Sequence, residues 1–269
     1  AIARGLPGIV GLHLEGPHLS LARKGAHDPA LIRPMQGEDV KFLAATAQRL
    51  PVLMVTLAPE SVTPAQIRAL AEAGVVVSLG HSDAGFDACK AAAGHGARCV
   101  THIFNAMSQL GSREPGLVGA ALAHGELSAG LIADMIHVHP ESIAAAFRAK
   151  RGPGRIFLVS DAMATAGSEV DHFVLNGRRI ERSRGRLTLA DGTLAGADLQ
   201  LTTAIRNMVE HVGLPLAEAL AMATSIPAGL IGQADRMGCF AAGAAADFIW
   251  LDAGFGLAGV WRKGRAAAG

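Results

Sequence analysis

Along residues 1–162, short apolar runs rich in β-branched side chains alternate with alanine-rich stretches. The runs lie at 9–14, 52–57, 75–79, 97–103, 127–133 and 156–160. Their length and composition predict strands. Between them, residues 37–49, 64–73, 84–93 and 140–150 predict helices, with 116–124 a less sharply marked one. Pro64 and Pro140 sit where proline suits a first helical turn, and Gly74 sits where a helix should stop. Strand and helix in steady succession imply a parallel sheet with crossover helices. The unbroken run Val75-Val76-Val77 implies strands buried on both faces.

Polar residues decide between the two architectures that satisfy this pattern. Glu15, Glu60, His81, His102, Asp134 with His137, and Asp161 each follow one of the six runs in turn. A closed barrel gathers its carboxyl-terminal strand ends around one mouth, whereas an open sheet spreads them along an edge. Ionisable residues at so many strand ends therefore predict an α/β fold of the (β/α)8 TIM-barrel type. Only six of the eight units are found. After residue 166 the texture changes to hairpins at 172–189, helices at 198–211 and 216–231, and short strands at 246–251 and 257–263. The first two barrel strands are thus expected to precede Ala1. The opening Ala1-Ile2-Ala3, without Met, fits a longer natural chain.

Composition removes several classes. Half of the 269 residues are apolar, enough for a sizeable core. With 24 Lys+Arg against 23 Asp+Glu, nothing points to nucleic acid. The one basic cluster, Arg178 to Arg186, lies among hairpin signals and reads as solvated surface. Three cysteines without a C-x-x-C pair fit a reducing compartment. No run approaches the ~20 apolar residues of a membrane span, and no leader opens the chain, so a cytoplasmic location is expected.

Glu15 ends a strand and is followed by Gly16 and Pro17, which force a turn. His81 and His102 each follow an apolar strand. One carboxylate and two imidazoles at strand ends make three protein ligands with an open position, the pattern of a catalytic zinc. His13 shares a strand face with Glu15 and reads either as a partner supporting the ligands or, first, as a packed core histidine. Asp161 follows a strongly apolar strand, where a carboxylate needs a partner. It is a natural general base and acid, with a helix N-cap as the main competing reading when taken alone.

These residues and their settings resemble the N-acetylglucosamine-6-phosphate deacetylases of the amidohydrolase superfamily. The resemblance rests on GLHLEGPHLS, KGAHDP, TLAPE, GHSDA, THIFNAM, SREPGLVGA, IADMIHVHP, VSDAMATAG and DGTLAGADL, in order from Gly11 to Leu199. The tail through Val260-Trp261-Arg262-Lys263-Gly264 also fits. Any one block is weak, but the ordered set is specific. It implies a barrel, here residues 1–234 with strands three to eight and additions. It also implies a small β-sandwich built from both chain ends, here represented by residues 235–269.

The resemblance further implies a divalent metal on Glu15, His81 and His102, with zinc first and iron or manganese compatible. It gives acid–base work to Asp161 and polarisation of the acetyl carbonyl to His27. Asn105, Ala106 and His137 become contacts to the sugar phosphate. Arg113, which alone reads as a surface arginine, becomes a phosphate contact in the neighbouring subunit of a homodimer. The expected reaction is hydrolysis of the acetamide of N-acetylglucosamine 6-phosphate, with no nucleic-acid or membrane partner. Met135 stands where the family usually has Gly, and Ser160 replaces the usual Thr. The first-strand motif is absent, which leaves one metal or two open. The competing readings are another metal-dependent amidohydrolase, acting on a cyclic amide or nucleobase, and an inactive barrel fragment.

Overall fold

The computed structural model describes residues 2–4, 6 and 8–267. The chain divides into two compact units, Ala1–Gly130 with Ala149–Arg155, and Leu131–Arg148 with Ile156–Gly269.

The first unit is a run of strand–helix pairs. Strands β1 (Leu12–Glu15), β2 (Leu53–Leu57), β3 (Val76–Leu79), β4 (Ala97–Val100) and β5 (Ser128–Leu131) lie parallel in that order. They alternate with α1 (Gly37–Ala47), α2 (Pro64–Glu72), α3 (Phe86–Gly94) and α4 (Gly116–Ala123). Val55, Leu57, Val77, Leu79 and Val100 are fully buried, as expected for a sheet covered on both faces. Helix α2 begins at Pro64 behind Thr63, whose hydroxyl accepts the Gln66 N–H while the Gln66 side chain caps Thr63 in return. Helix α4 is buried from Gly116 to Leu122. With no polar face to mark a 3.6-residue period, its sequence signal was weak.

The second unit takes up the parallel sheet at Leu131, whose carbonyl accepts the Val159 N–H just after β6 (Ile156–Leu158). Its α5 (Pro140–Ala149) precedes that strand. Then come β7 (His172–Leu175), β8 (Arg178–Ser183), β9 (Arg186–Thr188) and β10 (Leu194–Ala197), an antiparallel sheet ordered β10-β9-β8-β7. Asn176-Gly177 and Arg184-Gly185 all have positive φ, as two-residue hairpin turns require. Helices α6 (Leu201–Glu210), α7 (Leu216–Ala223) and α8 (Ser225–Leu230) follow, and β11 (Phe248–Leu251), β12 (Leu257–Arg262) and β13 (Arg265–Ala266) form a second antiparallel sheet. Phe248 stacks on Trp261, with ring centroids 4.9 Å apart.

Six parallel strands with crossover helices, followed by small antiparallel sheets, match the expected partial barrel and sandwich part. β1 and β6 end the strand order and are not paired with each other among the described residues. Two details correct the expectation. The helix expected over 216–231 is two helices, broken at Thr224 (φ −132°, ψ −90°). The break places Pro227 in the first turn of α8, where its missing N–H has no intrahelical role. Glu15 is the last residue of β1 rather than the residue after it.

Candidate metal and catalytic site

The first unit builds a three-donor cluster. Glu15 stands opposite Thr56 of β2, and Thr56 opposite Ser78 of β3, so the three side chains share one face of the sheet. His81 and His102 lie two residues beyond β3 and β4. Both take left-handed backbone conformations (φ +47° and +31°) that turn them out of the strand direction. Gly80 is needed there, because a Cβ would come within 2.9 Å of Thr101 Cβ and Thr56 Cγ2.

Glu15 Oε1 lies 2.9 Å from His81 Nε2 and 2.9 Å from His102 Nε2, and the two nitrogens are 3.1 Å apart. His81 Nδ1–H donates to the Arg23 carbonyl at 2.8 Å. With its proton on Nδ1, a neutral His81 directs the Nε2 lone pair at a carboxylate oxygen and a second ring nitrogen. Converging lone pairs repel unless a cation lies among them, and a mixed N/O set of this kind suits zinc. Without a cation, the alternative is that the imidazoles turn N–H groups to Glu15; those bonds outweigh the upward push of burial and hold the carboxyl well below the usual carboxylate range. These residues fit a divalent metal. They form the single cluster of three or more metal-ligating side chains among the described residues.

The surrounding loop is tied to the same histidine. Ser20 N–H donates to the His81 carbonyl, and Arg23 pairs with Asp83 at 2.7 Å. The loop carries His27, whose ring meets His81 edge-on with centroids 4.6 Å apart. A Cβ on Gly25 (φ +55°) would stand 3.2 Å from His81 Cε1, so glycine lets the loop close on that ring. Behind Glu15 runs a chain of side-chain hydrogen bonds. His13 Nε2 meets the Thr56 hydroxyl, Thr56 meets Thr101, and Thr101 meets Ser78. His13 is thus a network partner rather than an apolar core residue. The sequence signal for that network is the pair of in-strand hydroxyls Thr56 and Ser78 with Thr101 just past β4.

Asn105 Nδ2 donates to the Ile103 carbonyl, and Ala106 (φ +47°) accepts the Ser82 N–H through its carbonyl. Arg113 is exposed. Glu60, singled out only by position, clamps the turn after β3 by accepting the Ser82 hydroxyl and the Asp83 N–H, both at 2.7 Å.

In the second unit, Asp161 is half-buried and left-handed (φ +48°), and its carbonyl accepts the Ala197 N–H. His137 is joined to Asp134 at 2.7 Å, with both side chains almost wholly buried. Met135, in the position the family gives to glycine, has φ +64°, a backbone region glycine adopts freely. His137 keeps its bond to Asp134 despite that side chain.

A three-donor cluster at parallel-strand ends, flanked by ordered loops, stands where barrel folds of this class carry their sites. The chain belongs to the amidohydrolase family, whose model matches residues 1–267. Among its relatives, the N-acetylgalactosamine-6-phosphate deacetylase of Shewanella sp. (strain ANA-3) is 43% identical over 259 residues. That alignment covers 96% of this chain and 65% of the relative, so the chain spans just under two thirds of that protein's length. The crystal structure of N-acetylglucosamine-6-phosphate deacetylase from Pasteurella multocida superposes with a TM-score of 0.93 at 34% identity, over 99% of this chain and 70% of that one. A mutant of the Mycobacterium smegmatis N-acetyl-D-glucosamine-6-phosphate deacetylase, in complex with N-acetyl-D-glucosamine-6-phosphate, superposes with a TM-score of 0.89 at 34% identity, over 98% and 71%.

Proposed function

We propose that this chain hydrolyses the acetamide of N-acetylglucosamine 6-phosphate, giving glucosamine 6-phosphate and acetate. The observation that carries the reading is the convergence of Glu15 Oε1, His81 Nε2 and His102 Nε2. These three would hold one divalent cation, zinc first and iron or manganese as alternatives. Such a cation supplies Lewis-acid polarisation of the acetyl carbonyl and acidifies water at neutral pH.

The protein's own groups do the rest. Asp161 takes the proton of water as its oxygen attacks the carbonyl carbon. It returns that proton to the nitrogen as the C–N bond breaks, because an amine anion is a very poor leaving group. His27 donates to the carbonyl oxygen as negative charge develops there. Asn105, Ala106 and His137 hold the sugar, and Arg113 reaches the phosphate of the neighbouring subunit in a homodimer, so that only the acetamide reaches the reacting groups. We place the reaction in the cytoplasm; no helix among the described residues is long and apolar enough to cross a membrane. We assign residues 1–234 to the barrel and 235–269 to the sandwich part, ranges whose outer ends, Ala1 and Gly269, lie outside the described residues.

The Shewanella relative favours a second reading, the galacto epimer of the same substrate. Release of acetate from both epimers, followed with the zinc-loaded protein, tests the proposal. Turnover of either 6-phosphate above its unphosphorylated sugar supports deacetylation, and the faster epimer identifies the substrate. Absence of release from both overturns it. Metal content gives an independent check. His81→Ala should lose bound zinc while remaining folded by circular dichroism, and equal zinc in both proteins would remove His81 from the ligand set.

A further inference from the structure

Asp134 takes no part in the reaction just described, yet its carboxylate is among the most fully engaged in the chain. Oδ1 accepts the backbone N–H groups of Ile136 (2.9 Å) and His137 (2.8 Å). Oδ2 accepts His137 Nδ1–H at 2.7 Å. The side chains are 5% and 6% exposed for Asp134 and His137 respectively. The segment is also pinned from outside, since Asn207 of α6 donates from Nδ2 to the Ala133 carbonyl at 2.9 Å. Burial pushes the Asp134 carboxyl up, and the bonds from His137 and Ile136 overcome that and lower it, so it is ionised at neutral pH.

The two oxygens do different jobs. The backbone bonds shape the turn and need only Oδ1. Oδ2 is given to the imidazole, and that bond chooses the tautomer, because a carboxylate only accepts. A free histidine side chain favours the proton on Nε2. Here the proton is drawn to Nδ1, and in the neutral ring that leaves the lone pair on Nε2.

We propose that Asp134 is a positioning residue that locks His137 in the Nδ1–H form, so that Nε2 accepts a hydrogen bond from a hydroxyl of the substrate. The substrate half of this statement rests on the proposed function, in which His137 meets the sugar; the tautomer half does not. A histidine fixed this way selects a ligand carrying O–H at that point, as a sugar does, and disfavours one presenting an acceptor.

The imidazole nitrogens of His137, observed by 15N NMR in the whole chain, read the tautomer directly. The wild type should show Nδ1 protonated and Nε2 bare. Asp134→Asn retains an oxygen for the two backbone N–H groups and sets an N–H against Nδ1, which should move the ring proton to Nε2. With a donor now facing a donor, KM for the N-acetylated hexosamine 6-phosphate should rise about 10- to 100-fold, with kcat much less affected. His137 protonated on Nε2 in the wild type overturns the proposal without any variant. An unchanged tautomer in a folded Asp134→Asn also overturns it. A switched tautomer with unchanged KM overturns the substrate half. Should the wild type deacetylate neither epimer, the deacetylase reading falls with the substrate half, and the wild-type spectrum still decides the role of Asp134.

Discussion

Single side chains in this protein carry distinct and separable chemical tasks. If Asp161 moves the proton in both directions, Asp161→Asn should lower kcat by about 10²- to 10⁴-fold while bound metal and KM stay close to wild type. Near-normal turnover would hand the proton to another group, His27 first. The cysteines offer a test that needs no substrate. Burial pushes the Cys99 thiol up to about 11 and the Cys89 thiol up to about 12, whereas Cys239 is exposed. At pH 8 a thiol reagent should therefore modify one cysteine of the native protein quickly, and all three after denaturation. Rapid native labelling of three would mean that the core around β4 and α3 opens readily. At this scale the chain was largely readable. Glu15, His81 and His102 declared themselves by type and by place at strand ends, and the structure brings them together. Thr56, Ser78 and Thr101 did not, because their importance lies in what they touch and a sequence shows no contacts.

Elements were legible where their pattern contrasts with its surroundings. α1, α2 and α5 have an exposed polar face and marked starts, and their observed bounds fall within two or three residues of expectation. The strand expected over 97–103 ends at Val100, because the backbone turns at His102 before the apolar Ile103. The start of α1 makes a quantitative case. Asp39 accepts the Gln36 N–H and takes both Arg33 nitrogens, at 2.7 and 2.6 Å. The Arg33 bonds, more than the Gln36 N–H, hold its carboxyl well below the ordinary carboxylate value. A depressed pKa places the stabilisation above the unfolded-state value near 4, and it is lost as pH falls through the folded one. Loss of this surface ion pair together with the capping-box bond should make Asp39→Ala cost about 1 kcal/mol at pH 7. The gap from wild type should narrow steadily below about pH 4. Denaturant unfolding at pH 7 and pH 3 measures both, and a gap that stays constant with pH would assign the effect to packing.

At the scale of the whole molecule, the proposed homodimer turns one residue into a test of assembly. Arg113→Ala should weaken the 6-phosphorylated sugar far more than the unphosphorylated one, because a guanidinium gains most from a phosphate. If the arginine serves the neighbouring site, mixing Arg113→Ala with Asp161→Asn protomers should restore part of the activity that each lacks alone. No recovery on mixing, with both proteins dimeric, would confine Arg113 to its own subunit. The family and the barrel class were legible across the whole chain because ordered motifs span it. Subunit contacts were not, because nothing in residue order marks which exposed arginine meets a partner. One local feature also bears on how such a protein would change under selection. His81, His102 and Asp161 each sit two or three residues past a parallel strand in a backbone region that costs an L-residue about 1–2 kcal/mol and glycine almost nothing. Selection for heat resistance alone would therefore reward glycine at all three positions, and under the proposed reaction selection for turnover would remove it. A library screened only for survival at high temperature should drift toward well-folded, chemically silent descendants.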